Sequence, residues 1–329
     1  MKKNPLSFRF HCRGEVNNSE SQESIFFHAF ISQVTNREVI QVTELDKHVD
    51  IEIEIGIITN NGIEVIPGFA TRISRYIQSK SKSGIKFDGG KRTPNLQPRG
   101  KSKYSFYWTG ENERPPEGTW DAYFTFDVHS FQGRNHYLPL WWITSSDVLV
   151  PTTSPYLGAP ITTEELSSGR KVDFESRKNF CCAFIGKAYP FRMHALSALS
   201  EIENVDVFGG VGRRMVSSKL EIAKEYRFVF AFENDLYPGY VTEKVFEAWA
   251  TGAIPIYWGS DPEGYINPKA IINLADFANM EKFVEFIKGV NSNPVLWESI
   301  ASQPLLLRKP SLESTIENTR KIIIDLCDL

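Results

Sequence analysis

Residues 226–260, YRFVFAFENDLYPGYVTEKVFEAWATGAIPIYWGS, decide the fold, because their pattern predicts a strand, a loop, a helix and a second strand. The aromatic run at 228–232 is typical of a strand buried on both faces, and the polar sequence END follows where that strand would end. Helical periodicity begins at Thr242, and the apolar run 253–258 predicts the second strand. Ligands of open α/β sheets bind at the carboxyl ends of the strands, so we expect a ligand beside the END sequence.

Lys244 is in an unusual place if Thr242 is the N-cap of this helix, because it then lies in the first turn. A cation there opposes the positive end of the helix dipole at a cost of about 0.3–1 kcal/mol, and a bound phosphate would reverse that cost. A simpler alternative pairs Lys244 with Glu247 or leaves it in solvent. This segment alone leaves both interpretations open.

Composition sets broad limits on the class of protein. The chain has 329 residues, 41% of them hydrophobic, which is enough for a large core and suggests two domains. Its net charge of −3 argues against a nucleic-acid partner bound through global electrostatics. The sequence shows neither an apolar run of membrane-spanning length nor the apolar region of a signal peptide, so we expect a cytoplasmic protein.

The sequence does not predict a metal site. The four cysteines and six histidines show no spacing suited to zinc. Residues 48–57 alternate, with Asp50, Glu52 and Glu54 on one face of a predicted strand. These carboxylates could hold a divalent cation, but the solvated face of an edge strand is the favoured interpretation.

Two features allow both a functional and a structural interpretation. Residues 79–103 predict a long basic loop, which could contact membrane headgroups and place the protein peripherally at the inner face of the membrane. A solvated charged loop is the favoured alternative. Trp141 and Trp142 could form a platform for an acceptor sugar, but a buried aromatic cluster is favoured.

The second half of the chain repeats the strand–loop–helix pattern. After a predicted strand at 180–185, Pro190 suits the first helical position and Arg192 falls in the first turn, as Lys244 does. The predicted strand at 205–208 ends in GGVG, whose glycines would permit close approach to a diphosphate or simply form a turn. Two cations and a glycine turn at successive strand ends favour a shared diphosphate ligand.

The first half supplies a candidate base. A predicted strand at 104–109 ends in GENE, so that Glu111 or Glu113 reaches a loop. Inverting glycosyl transfer needs one carboxylate to take the acceptor proton. The sequence has no Asp-x-Asp motif for a diphosphate-bound metal, so Arg192 and Lys244 would neutralise the leaving group.

A boundary between domains is predicted within residues 147–173, which are rich in Pro, Ser and Thr. We expect an N-terminal, acceptor-side Rossmann-like domain at 1–150 and a donor domain at 151–310. A terminal helix at 311–329 is expected to pack back on the first domain.

The segment FAFENDLYPGYVTEKVFEAWATGAIPIYWGS resembles the signature of the α-1,3-fucosyltransferases of bacteria and animals. FYWTGENE at 106–113 resembles the acceptor-side motif of that family, and AFIGKAYPFRMHALSAL and VDVFGGVG follow in the family's order. The resemblance extends through residues 104–290 and is weak before them.

This resemblance implies an α/β fold of GT-B type, with two Rossmann-like domains facing each other across a cleft. It implies inverting transfer of fucose from GDP-fucose, without a required cofactor, to an oligosaccharide or lipopolysaccharide containing GlcNAc or Glc, in α-1,3 or α-1,4 linkage. Glu111 is then the general base, and Glu243 supports donor hydroxyls or the developing positive charge. Donor binding falls to Arg192 and Lys244 at the pyrophosphate and to Asn234, Tyr240, Glu233, Gly209 and Gly210.

Three alternatives remain open at this point. The chain could be a GT-B transferase that uses another nucleotide sugar, or a non-catalytic glycan-binding protein on the same scaffold. A dinucleotide oxidoreductase is less favoured, because the sequence has no GxGxxG. We also expect neither the membrane anchor of animal family members nor the basic heptad-repeat tail of some bacterial ones.

Overall fold

The structure is a computed structural model that describes residues 4–12, 15–16, 19–56, 64–65, 91–92, 96–116, 119–128, 130–131, 133–151 and 157–328. Most of the predicted basic loop at 79–103 lies outside these ranges. The described chain divides into two compact units, one made of residues up to 151 together with 310–328 and the other of residues 157–309. Within the described ranges, no helix combines the length and the apolar character needed to cross a membrane.

The first unit is built on a largely parallel sheet. Its elements up to residue 151 are β1 (Leu6–Cys12), β2 (Glu15–Val16), α1 (Gln22–Thr35), β3 (Val39–Gln41), β4 (Val49–Ile55), β5 (Glu64–Val65), β6 (Lys91–Arg92), β7 (Ser102–Trp108), β8 (Glu113–Arg114), β9 (Ala122–Thr125), β10 (Asn135–Tyr137) and α2 (Leu140–Thr144). The large sheet has the order β10-β9-β7-β4-β1-β2, with β3 also beside β1, and a small sheet joins β5, β6 and β8.

The second unit is a Rossmann-like layer. Its elements are α3 (Thr163–Leu166), β11 (Asn179–Phe184), α4 (Pro190–Leu199), β12 (Val205–Phe208), α5 (Lys219–Ala223), β13 (Tyr226–Phe232), α6 (Lys244–Ala250), β14 (Ile254–Trp258), β15 (Ile272–Asn273), α7 (Met280–Asn291) and α8 (Pro294–Ala301). The five strands are parallel, in the order β12-β11-β13-β14-β15. The carboxyl ends of β11, β12 and β13 therefore lie at one edge of the sheet, and β13, α6 and β14 confirm the predicted βαβ unit.

Helix α1 covers one face of the large sheet with aromatic side chains. The Phe27 ring centroid lies 5.3 Å from that of Phe10 on β1, and the Phe30 centroid lies 5.5 Å from that of Phe124 on β9. All four rings are buried. Buried aromatic pairs of this kind contribute both apolar area and favourable ring geometry, so they fix α1 on the sheet.

The last helix, α9 (Glu313–Ile322), packs against α1 within the first unit. Arg320 Nε donates a hydrogen bond of 2.9 Å to the carbonyl of Val34, the residue before the last in α1. Within α2, the side chains of Trp141 and Trp142 are buried, with 1% and 3% of their surface exposed. They therefore form the buried aromatic cluster rather than an exposed platform.

The other face of the large sheet carries a buried charged cluster, which corrects the expectation of a solvated edge strand at 48–57. Strand β4 lies between β1 and β7, and Glu52 and Glu54 are 1% and 3% exposed. Glu52 Oε1 accepts a 3.0 Å hydrogen bond from Arg9 Nε and lies 3.0 Å from His11 Nε2. The expectation was wrong because the partners come from β1, about 40 residues away in sequence.

We expect Glu52→Gln to destabilise the protein by about 3–5 kcal/mol at neutral pH, since it leaves the Arg9 guanidinium buried without its counter-charge. Burial raises the pKa of Glu52, but His11 and Arg9 together lower it by more than burial raises it. The net pKa therefore lies below the ordinary 4.5. The carboxylate therefore stabilises the fold fully above pH 4.5, and this contribution is lost as the pH falls through the lowered pKa. Denaturant titrations should show a difference between variant and wild type that shrinks in acid; a constant difference would contradict this.

Candidate active site

The loop after β13 is organised around Glu233. Its side chain has no exposed surface, and its two carboxylate oxygens accept hydrogen bonds from the amide and the hydroxyl of Thr242, at 2.7 and 2.8 Å. The start of the loop is therefore pinned to its end. Thr242 was predicted as the N-cap of α6, but its hydroxyl is used here, and Glu243 occupies the cap position instead.

Lys244 occupies the first position of α6. Because helical side chains tilt toward the N-terminus, its side chain extends over the start of the helix. Its Nζ donates to Thr242 Oγ1 at 2.7 Å and lies 3.3 Å from Glu233 Oε2 and 3.5 Å from Glu243 Oε1. The alternative pairing of Lys244 with Glu247 is wrong. Glu247 lies one turn further on and pairs with Lys219 Nζ at 2.6 Å.

The pKa values of the two carboxyl groups next to Lys244 are shifted in opposite directions. Burial raises the pKa of Glu233, and the charge of Lys244 offsets this only in part. Burial also raises the pKa of Glu243, but Lys244 and Lys219 lower it more, so its net pKa lies below the ordinary value. Glu243 is thus kept ionised by two lysines, which suits a group that faces developing positive charge.

Arg192 is fixed at the same edge of the sheet. It lies in the first turn of α4, two residues after Pro190, with 6% of its surface exposed, and Nη2 donates to the Phe232 carbonyl at 2.6 Å. A pocket of about 30 Å³ brings Arg192 together with Lys219 and Lys244. Arg192 and Lys244, which the sequence predicts to bind one diphosphate, therefore line the same pocket.

Lys219 was not predicted from the sequence. It is the first residue of α5, after the N-cap Ser218, and so repeats the first-turn position of Lys244. Its ion pair with Glu247 holds it in the pocket that Arg192 and Lys244 line. The sequence SSK did carry this signal, because a serine N-cap followed by a lysine is the same electrostatic mismatch with the helix dipole.

Asn234 and Tyr240 lie in the same loop and contact each other. Asn234 Nδ2 donates to the Tyr240 hydroxyl at 3.4 Å, and Tyr240 is buried with 1% of its surface exposed. This long bond orients a half-buried amide beside Glu233. The predicted contacts of Asn234, Tyr240 and Glu233 with a donor stay predictions.

Gly209 and Gly210 have an internal reason to be glycine. Gly209 has a φ of +83°, and a Cβ there would lie 2.9 Å from the Ile185 carbonyl oxygen. A Cβ on Gly210 would lie 2.8 Å from the carbonyl oxygen of Gly186. The glycines thus let the loops after β11 and β12 run closely side by side. Approach to a diphosphate by the same backbone stays a prediction.

In the first unit, Glu111 follows the end of β7. Its side chain is exposed, while its amide donates to Thr109 Oγ1 at 3.2 Å and its carbonyl accepts from the Glu113 amide at 2.6 Å. The carboxylate therefore stands in solvent on a constrained backbone. Glu113, the other candidate base, is buried with 2% of its surface exposed. Among the described residues, no group of three or more His, Cys, Asp or Glu side chains could hold a metal ion.

Comparison with known proteins finds similarity in the part of the chain that holds the cationic pocket. Residues 174–301 match the family model described as Glycosyltransferase family 10 (fucosyltransferase) C-term, which confirms the resemblance for this part of the chain. The chain is 29% identical over 210 residues to the Helicobacter pylori Alpha-(1,3)-fucosyltransferase FucT, covering 57% of this chain and 44% of that protein. It is 32% identical over 101 residues to an Arabidopsis thaliana Alpha-(1,4)-fucosyltransferase, covering 30% and 24%. The chain thus spans less than half the length of these relatives.

Solved structures show the same fold over nearly the whole chain. A crystal structure of an α1,3-fucosyltransferase superposes with a TM-score of 0.64 at 20% identity, covering 98% of this chain and 92% of that one. A crystal structure of an α1,3-fucosyltransferase with GDP-fucose gives a TM-score of 0.62 at 21% identity, covering 97% and 90%. The predicted α/β fold of GT-B type is therefore confirmed.

Proposed function

We propose that this chain, whose residues 174–301 match the glycosyltransferase family 10 model, transfers fucose from GDP-fucose to a hydroxyl of a glycan that contains GlcNAc or Glc. The observation that carries the proposal is the pocket in this domain that gathers Arg192, Lys219 and Lys244. Three cations at the carboxyl edge of a parallel sheet suit a nucleoside diphosphate, although Lys219 also pairs with Glu247, which lines the same pocket.

The proposed reaction is a single displacement with inversion. The acceptor oxygen attacks the anomeric carbon of fucose and gives its proton to the Glu111 carboxylate, while the bond from that carbon to the β-phosphate oxygen breaks. Arg192 and Lys244 stabilise the charge that develops on the departing GDP. Glu243, kept ionised by Lys244 and Lys219, faces the positive charge that develops on the sugar ring.

We propose an α-1,3 linkage, with α-1,4 as the second candidate. The Helicobacter pylori relative is named for the α-1,3 linkage and the Arabidopsis thaliana relative for the α-1,4 linkage. An oligosaccharide or a lipopolysaccharide glycan is the proposed acceptor class. Two disaccharides of Gal and GlcNAc separate the linkages. When Gal is attached to O4 of GlcNAc the 3-hydroxyl is free, and when Gal is attached to O3 the 4-hydroxyl is free. The linkage of the product can be determined by NMR.

The donor can be tested separately from the acceptor. We expect isothermal titration calorimetry to show GDP binding with an affinity at least about tenfold above that of UDP, a difference of roughly 1.4 kcal/mol. Transfer should follow with GDP-fucose and fail with other GDP-sugars. A preference for UDP would point to a transferase with another nucleotide sugar. Glycan binding without transfer or hydrolysis of any GDP-sugar would point to a non-catalytic lectin.

A further inference from the structure

We propose that the buried ion pair between Arg114 and Asp127 is a positioning device for Glu111. This inference rests on the proposed role of Glu111 as the base. The ion pair itself is remote from the reacting atoms in this proposal, and it acts through the loop that carries the carboxylate.

Residues 109–112 join β7 to β8, and the Thr109 amide donates to the Phe124 carbonyl on β9 at 3.2 Å, which ties the start of this loop to the sheet. The hydrogen bonds from the Glu111 amide to Thr109 and from the Glu113 amide to Glu111 fix the backbone locally. Both are contacts within the loop and its immediate neighbour. The bond from Thr109 to the sheet holds only the start of the loop, so a second connection is needed to fix the part after Glu111.

Arg114 supplies that connection through two arms of one guanidinium group. Nη2 donates to Asn112 Oδ1, the residue after Glu111, at 2.9 Å. Nη1 donates to Asp127 Oδ2 at 2.5 Å. The arginine and aspartate side chains are 6% and 1% exposed, and the guanidinium carbon lies 4.7 Å from the centroid of the Phe126 ring. The loop is therefore clamped by a planar group that cannot rotate freely.

Asp127 is in turn anchored at the end of β9, the strand next to β7. Its amide donates to Thr125 Oγ1 at 3.1 Å, and its carbonyl accepts from Asn135 Nδ2 at 2.7 Å. Both partners lie on strands of the large sheet. The chain of contacts from Glu111 thus runs through Asn112 and Arg114 to the rigid sheet.

Stability alone does not account for this pair. The desolvation of two buried charges largely offsets their attraction, and well-packed apolar residues often serve as well or better. An arginine adds a planar guanidinium group, whose N–H donors can hold two acceptors in fixed positions relative to each other. Here the two acceptors are the Asn112 side chain and the Asp127 carboxylate, so the guanidinium group ties the loop that carries Glu111 to the segment that follows β9.

Arg114→Lys keeps the charge beside Asp127 but lacks the second arm. We expect kcat to fall about 10- to 100-fold, in line with a displacement of about 1 Å of a reacting group, while the KM for GDP-fucose stays within about twofold. In the Glu111→Gln background, Arg114→Lys should cause no further loss, because the group that it positions is already gone. Arg9→Lys, at the buried pair with Glu52, is the matched control and should lower the thermal midpoint without changing kcat.

Equal losses of kcat from Arg114→Lys in the wild-type and Glu111→Gln backgrounds would overturn the inference. So would a normal kcat in Arg114→Lys when Glu111→Gln is inactive. If Arg114→Lys does not fold, Asn112→Ala removes the link while leaving the ion pair, and the same non-additivity is expected. Failure of the proposed function looks different: the wild type itself would not transfer fucose, or Glu111→Gln would retain full activity.

Discussion

Glu111→Gln is expected to lose fucosyl transfer by about 10²- to 10⁴-fold, the range that a positioned general base contributes. Glutamine has nearly the same shape, so the hydrogen bonds of the backbone around position 111 remain possible. The affinity for GDP, measured by calorimetry, should not change, because the cationic pocket lies in the other unit. The loss should therefore appear in kcat and leave binding of the nucleotide intact.

Glu113→Gln is the matched control for this experiment. Glu113 lies two residues away and is buried, whereas Glu111 is exposed to solvent. We expect Glu113→Gln to affect thermal stability more than kcat, since it changes a buried charge. A large loss of kcat in Glu113→Gln, with near wild-type turnover in Glu111→Gln, would move the role of the base from one carboxylate to the other.

The exposed position of Glu111 and the burial of Glu113 illustrate what the sequence could and could not predict. GENE at the end of an apolar strand predicts carboxylates in the loop that follows; Glu111 lies in that loop, whereas Glu113 is the first residue of β8. Glu113 lies on β8, whose partner strand β6 comes from an earlier part of the chain, and the local sequence does not reveal that pairing. Periodicity within one strand contains no information of that kind.

The strand at 49–55 shows the same limit more strongly. Its alternation correctly predicts two distinct faces, but it does not predict that the face with the carboxylates is buried. Arg9 and His11 make burial tolerable by placing cationic or polar groups against Glu52. A charge pattern on one strand therefore predicts exposure only when the neighbouring strands are known.

First-turn cations were the most informative pattern for the second unit, yet they are not specific. Lys244 and Lys219 line the pocket, whereas Lys282, in the first turn of α7, pairs with Glu285 at 2.6 Å on an exposed surface. What separates them is the position of the helix relative to the sheet. Lys219 and Lys244 belong to helices that follow successive strand ends, and that topology brings them together.

Lys244→Met is expected to weaken GDP binding by about 10- to 100-fold, the loss of one charge-assisted hydrogen bond of roughly 1.5–3 kcal/mol. The same change removes the cation 3.3 Å from the buried Glu233 carboxylate, so the fold should also lose stability. Lys282→Met removes a first-turn lysine that lies outside the pocket. It should leave GDP affinity and the thermal midpoint nearly unchanged, because exposed ion pairs contribute little.

The double variant Glu233→Gln/Lys244→Met separates the two losses. Glutamine can still accept a hydrogen bond from Thr242 and carries no charge that needs a counter-ion, so much of the stability should return. GDP affinity should not return, because the cation that meets the diphosphate is still absent. Calorimetric binding and thermal midpoints on the four proteins of this cycle give both quantities. If affinity recovers together with stability, Lys244 serves the loop around Glu233 and not the nucleotide, and the diphosphate must rely on Arg192 and Lys219.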